Sequence, residues 1–402
     1  MKQPTAPPLL QSGLCRLRPQ IQATSIRCLV LTFTARNDHF GTNIVNMLRC
    51  RRCLLPSTVP GSDFDATGVC QFCRAYRPED EVDMEGARLE RLRDLEQTLA
   101  SVRQATGYHA VVCLSGGKDS LYLLYRLKRE YGLNVLAFTV DANIPAVAWR
   151  SIERTIKALQ VDHLVYRPSS AFYRKLFAYL LRHQETRGAV YTVSYVYAPL
   201  FEGDAINLAT EKGIPLVLAG YSPGQPEPER MVYEFSRRLI CGTNWTPPAL
   251  RTAGEFTEAE LGRFWNPNRW PPGTRFPRYL APFHAWEYDQ DVIMRQVVSL
   301  GLVERRSHAS PIHSNYPVNW LLMYSDLKNL GYNPYAPEFS SLIRRGKANY
   351  RYWKVMAPLV DLMIRKRMLM GRNVTSQMEW LELRESDLRI DCPFGAYDPP
   401  GN

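Results

Sequence analysis

Ser115-Gly116-Gly117-Lys118-Asp119-Ser120 follows the apolar run His109-Ala110-Val111-Val112-Cys113-Leu114 and precedes Leu121 to Glu130, whose apolar spacing predicts a helix. A strand that turns through two glycines straight into a helix is the opening of a parallel α/β unit. The same turn makes a phosphate site. Glycines at 116 and 117 let the backbone approach an anion with no Cβ in the way, successive N–H groups form a concave nest, and the helix brings its positive end to the same point. Lys118 supplies a point charge, and Ser115 and Ser120 supply hydroxyl donors. Asp119 is a carboxylate among phosphates, repulsive unless it holds a divalent cation that bridges to them, so Mg²⁺ is expected together with a nucleotide.

The spacing departs from both G-x-x-x-x-G-K-[ST] and G-x-G-x-x-G, which excludes the Walker A loop and the dinucleotide fingerprint. A Gly-Gly turn carrying a solvated Lys-Asp pair is the plainer reading of the same residues. Between a strand and a helix, SGGKDS resembles the signature of the PP-loop ATP pyrophosphatases. That resemblance implies ATP, split between its α- and β-phosphates to adenylate a carbonyl or amide oxygen, with Lys118, Asp119 and Ser120 as the catalytic positions.

The alternation continues downstream. Residues 134–141 predict a second strand, Ser151 to Leu159 a helix, His163 to Tyr166 a third strand, and Ile214 to Gly220 a fourth. The expected fold is therefore α/β, a Rossmann-like, doubly wound parallel sheet, with ligands beyond the carboxyl ends of its strands. Asp141 ends the second strand, where it is a candidate for the ribose and equally a turn former. Gly220 ends the fourth, where it is expected to close over the phosphates. Residues 79–104 predict a charged linking helix with Leu89, Leu92, Leu95 and Leu99 on one side, and Asp291 to Leu302 and Ala357 to Met370 predict two more helices. The aromatic, Pro- and Arg-rich stretch from Trp245 to Trp286 reads either as a surface that stacks on sugars or bases or as a loop packed by its own rings. Expected domains are an ATP-binding unit at 79–244 and a substrate region at 245–402.

Four of the nine cysteines form Cys50-x-x-Cys53, sixteen intervening residues, then Cys70-x-x-Cys73. This is the spacing of a four-thiolate zinc knuckle, expected over 47–78, with two disulfides or an iron–sulfur cluster as alternatives. A closed four-thiolate site has no open coordination position, so its metal would be structural. Cys113, two residues before the phosphate loop, reads as a small buried hydrophobe.

The chain has 402 residues, a net charge of +11 and a pI near 9.2. The charge allows an anionic partner such as tRNA, a nucleotide-activated sugar or a phosphorylated lipid. No apolar run approaches the roughly 20 residues needed to cross a bilayer, and a cytoplasmic location is expected. Residues 1–46 hold one acid, Asp38, and no sustained period; they are expected to be a disordered extension ahead of a natural start at Met47.

Taken together, Met47-Leu48-Arg49-Cys50-Arg51-Arg52-Cys53-Leu54-Leu55-Pro56, then Phe64-Asp65-x-x-Gly68-Val69-Cys70-x-x-Cys73, then SGGKDS resemble the N-acetyl sugar amidotransferases of surface-polysaccharide (lipopolysaccharide) biosynthesis. Tyr279 to Leu302 and Glu338-Phe339-Ser340-x-Leu342-Ile343-Arg344-x-Gly346-Lys347 are similar to later segments of that family, while 310–319 departs from it. The resemblance implies conversion of an acetamido group, on a sugar nucleotide or lipid-linked N-acetyl sugar, to an acetamidino group. ATP would activate the amide oxygen, PPᵢ would leave, and ammonia from a separate glutaminase subunit or from solution would displace AMP. A tRNA thiolase or related sulfur transferase shares the loop and is the alternative enzyme; a non-catalytic zinc-knuckle scaffold that only binds nucleotide is the alternative from outside enzymology.

Overall fold

The strands are β1 (Ala110–Cys113), β2 (Val135–Val140), β3 (Asp162–Tyr166), β4 (Gln184–Glu185), β5 (Leu216–Leu218), β6 (Arg278–Leu280) and β7 (Ile390–Cys392), of which β1, β2 and β5 are short apolar runs between turn residues. The computed structural model describes residues 48–77, 79–223, 232–310 and 316–398, and the expected disordered extension at 1–46 lies outside them. Five strands make one sheet in the order β3-β2-β1-β5-β6, every neighbouring pair parallel; β4 and β7 pair separately. This is the expected α/β architecture. The order reverses between β1 and β5, so the crevice that open parallel sheets use for ligands lies beyond the ends of those two strands.

The sheet is covered on both faces, which is why β2 is buried at all six positions. Val112, Ala137, Leu216 and Leu280 look toward one side, where Leu95 and Leu99 of α1 (Asp80–Val102), Leu121 of α2 (Lys118–Tyr125), Ile152 of α3 (Ala146–Leu159) and Ile293 and Val297 cover them. Val111, Leu136, Phe138, Val217 and Tyr279 look toward the other. There the cover is a long helix, Ala189–Glu211, together with Phe235, Trp245 and Trp265. The aromatic stretch is therefore largely core: Trp245 and Trp265 are each 1% exposed, and their indole N–H groups donate to Leu239 O and Ile240 O, both at 2.8 Å. The plainer of its two readings holds for these rings.

Helix Ala189–Glu211 has no apolar stripe because it is buried on nearly every side, so no helical period marks it in the sequence. It starts at Gly188, whose φ of 98° suits glycine alone. Buried Asp326 accepts from the backbone N–H groups of Ala189 and Val190 and so caps the helix from a distant segment. The helix expected at 357–370 runs instead from Tyr350 to Arg365. Asn349 starts it by accepting from Tyr352 N at 3.0 Å, and the chain continues through Pro358 without ending. Strand β6 joins the edge of the sheet beyond residue 244, and residues 46–402 form one unit.

Candidate active site

The SGGKDS loop connects β1 to α2 at the switch point. Gly116 has φ 81°, and a Cβ there would lie 2.7 Å from Ala148 O, so glycine is required by the fold. Gly117 meets nothing nearer than Ser115 Oγ at 3.6 Å, which leaves its outer side free for a ligand. It is the N-cap of α2 and has no side chain to occupy the first N–H groups of the helix. Gly220 lies against this turn from β5; a Cβ there would stand 2.9 Å from Ser120 N.

Ser120 is 5% exposed, and its hydroxyl donates to Gly117 O at 3.0 Å while accepting from Ser115 N at 3.2 Å. It braces the loop. Lys118 Nζ donates to Asp119 Oδ2 at 2.6 Å and to the Tyr288 hydroxyl at 3.2 Å, and that hydroxyl donates to Asp119 Oδ1 at 3.2 Å. Burial by itself would lower the Lys118 ammonium; the Asp119 carboxylate and then Tyr288 outweigh it, so the amine is held above its ordinary value and charged.

These groups open into a cavity of about 1090 Å³ between the carboxyl edge of the sheet, the cysteine knuckle and the helices Ala336–Arg344 and Tyr350–Arg365. Ser115, Gly117, Lys118, Asp119, Ser120 and Gly220 all line it. Asp141 is absent from its described lining. It accepts instead from Ile144 N at 3.1 Å and from Arg167 Nε at 2.9 Å, so it serves as the turn former. A second carboxylate faces the loop from a residue given no role by sequence reasoning. Glu338 lines the cavity, half-buried, where burial, then Lys118 acting downward and Asp119 acting upward, leave its carboxyl pushed up to about 8. Tyr288 and Glu338 both fall within the later segments that carried the family resemblance, and that was the signal available for them.

Cys113 also lines the cavity, half-buried at the end of β1, and burial pushes its thiol up to about 12. An inert thiol fits that position.

The four knuckle cysteines are buried and free of disulfides, with their sulfurs all within 4.8 Å of one another, Cys50 to Cys73 at 3.8 Å and Cys53 to Cys70 at 3.6 Å. A tetrahedral ion with metal–sulfur bonds of about 2.3 Å requires sulfurs about 3.8 Å apart. The set can hold one metal ion. In a [4Fe–4S] cluster each thiolate sits on its own iron, so the four sulfurs do not converge on one ion as these do. The knuckle is also part of the cavity wall, through Arg49, Cys53 and Leu54. Arg49 Nη2 bonds Asp361 Oδ2 at 2.7 Å, and Ile343 packs among Leu54, Leu55 and Val59, tying the knuckle to the carboxyl-terminal helices.

No family model matches this chain, and no curated protein does. Solved structures give weak likenesses. The U34-tRNA thiolase NcsA from Methanococcus maripaludis, with its [4Fe-4S] cluster, is 13% identical with a TM-score of 0.32, covering 84% of this chain and 89% of its own. NMN synthetase from Francisella tularensis is 12% identical with a TM-score of 0.31, covering 76% and 97%. An NH3-dependent NAD synthetase from Campylobacter jejuni, in complex with nitrate, has those same values. At such scores the likeness carries no argument about chemistry, which rests on the residues of this chain.

Proposed function

We propose that this protein is a PP-loop ATP pyrophosphatase that adenylates the acetamido oxygen of an N-acetyl sugar and replaces that oxygen with nitrogen from ammonia. The observation that carries the reading is the juxtaposition, in one cavity at the switch point of a parallel sheet, of the SGGKDS loop, a charged Lys118, and the carboxylates of Asp119 and Glu338.

The glycine loop and the uncapped start of α2 receive the phosphates, and Lys118 neutralises charge on them as PPᵢ leaves. Asp119 is the residue placed to hold Mg²⁺, which when bound supplies further neutralisation of the phosphate oxygens. The cavity volume of 1090 Å³ exceeds the usual range for one small ligand, leaving room for an acceptor beside the nucleotide. Once the amide oxygen has taken the adenylyl group, the lone pair of ammonia forms the new C–N bond. The C–O bond breaks with its electron pair leaving on AMP, and the released proton passes to the deprotonated form of Glu338, whose value raised to about 8 makes it a stronger base than an ordinary carboxylate. Cys50, Cys53, Cys70 and Cys73 would hold zinc, which would cross-link the knuckle that walls this cavity. Sulfur transfer is the poorer reading, because burial pushes the Cys113 thiol up to about 12, the other free candidate, Cys241, is exposed and absent from the cavity lining, and the knuckle sulfurs converge on one another.

Phosphorus NMR of ATP incubated with the protein, ammonia and a UDP-linked N-acetyl sugar tests this directly. AMP and PPᵢ are expected, with ¹⁵N from ammonia entering the sugar; ADP and Pᵢ would overturn the assignment. Lys118→Ala and Asp119→Ala are each expected to lower turnover at least about a hundredfold with little change in melting temperature.

A further inference from the structure

Most of the excess charge of this chain sits in one segment. Residues 344–372 hold nine lysines and arginines against a single acid, Asp361, a net +8 of the total +11. Residues 1–47 carry a net +4 from five cations and Asp38, so everything else sums to −1. The same segment presents apolar side chains to water. On the helix Tyr350–Arg365, Tyr352, Val355 and Leu359 are 51%, 56% and 40% exposed, at the i, i+3, i+7 spacing of a single stripe. The turn that follows exposes Met368 and, at 67%, Leu369. Arg351 and Lys354 flank the stripe, with Lys347 and Arg372 exposed at its ends. The opposite flank of the helix, Trp353, Met356 and Val360, lines the cavity, and Tyr352 belongs to both the cavity lining and the stripe.

We propose that this stripe and its cations form a docking surface for an anionic lipid bilayer, which seats the mouth of the cavity against the membrane. An aliphatic stripe beside cations is the composition of a helix lying in the headgroup region, with the apolar groups entering the acyl boundary and the cations meeting acidic headgroups. Among the described residues no helix is long and apolar enough to cross a membrane, so the contact is peripheral. Other occupants match only half of the surface. RNA phosphates would pair with the cations and leave Val355, Leu359 and Leu369 with nothing apolar to meet. A second copy of the same face would bring the exposed Lys347, Arg351, Lys354 and Arg372 against themselves, and residues 1–47 are themselves basic. The inference stands on this surface alone and is independent of the adenylation reading.

Flotation of the full chain with phosphatidylcholine vesicles, with and without phosphatidylglycerol, tests it. Binding is expected only to the anionic vesicles and is expected to weaken with salt. Val355→Asp with Leu359→Asp should reduce the bound fraction about tenfold or more, and Arg351→Glu with Lys354→Glu should do so independently. None of these four residues lines the cavity, so ATP turnover without vesicles should be unchanged and melting curves should confirm the fold. The proposal is overturned by equal flotation with neutral vesicles, by flotation that neither pair of substitutions alters, by a two-chain mass in solution that the aspartates return to one, or by binding to tRNA in preference to vesicles that the same substitutions abolish.

Discussion

Glu338 shows how one residue acquires chemistry from its surroundings. Its ordinary value is 4.5, and burial in the cavity wall is the largest influence raising it to about 8, with Lys118 pulling down and Asp119 pushing up. A base of this kind is active only when deprotonated, so turnover should climb as pH rises through about 8. Glu338→Gln should lower turnover by roughly 10²–10⁴-fold and remove that alkaline limb. A pH–rate series on both proteins checks this, and a variant that keeps the limb would assign it to another group. The same shift acts on stability. The folded chain keeps this proton to a higher pH than the unfolded chain does, so between 4.5 and about 8 rising pH works against the fold at this residue, a slope that Gln removes.

At the scale of the element, helix Ala189–Glu211 depends on its first turn more than its length suggests. Gly188 has φ 98°, and a Cβ there would lie 2.3 Å from Asp326 Oδ1 and 2.7 Å from Leu330 Cδ1. Alanine would be strained in its backbone and would push away the carboxylate that receives Ala189 N–H and Val190 N–H. We expect Gly188→Ala to cost roughly 2–4 kcal/mol, from backbone strain together with overpacking, read as a lower midpoint in urea. Gly213→Ala is the control. Gly213 also has positive φ, but nothing lies within 4 Å of its Cβ position, so only the backbone part of the cost should remain.

For the whole molecule, the knuckle is a wall of the cavity as well as a fold of its own, because Cys53 and Leu54 line the space that Lys118 and Asp119 face. With zinc in the knuckle as proposed, a strong chelator should therefore lower both the melting temperature and ATP turnover, and added zinc should restore both. Loss of stability with turnover intact would show that the knuckle does not shape the site.

Local residue order was enough for the strand–loop–helix at 109–130, the parallel alternation and the four-thiol knuckle, since each depends on neighbours a few positions apart: two glycines after an apolar run, two cysteines per turn, apolar residues at helical spacing. The helix Ala189–Glu211 escaped because burial on every side erases the period that would reveal it. Asp141 was open by position to a ribose or a turn, and in the fold it accepts from Ile144 N, three residues on, and from Arg167. Tertiary structure alone decided that Trp245 and Trp265 cover the sheet, that Tyr288 joins Lys118 and Asp119 from more than 160 residues away, and that Glu338 enters the same cavity. Burial, which sets the charge of Lys118 and raises Glu338, is a property of what surrounds a side chain in space, and the order of residues along the chain does not contain it.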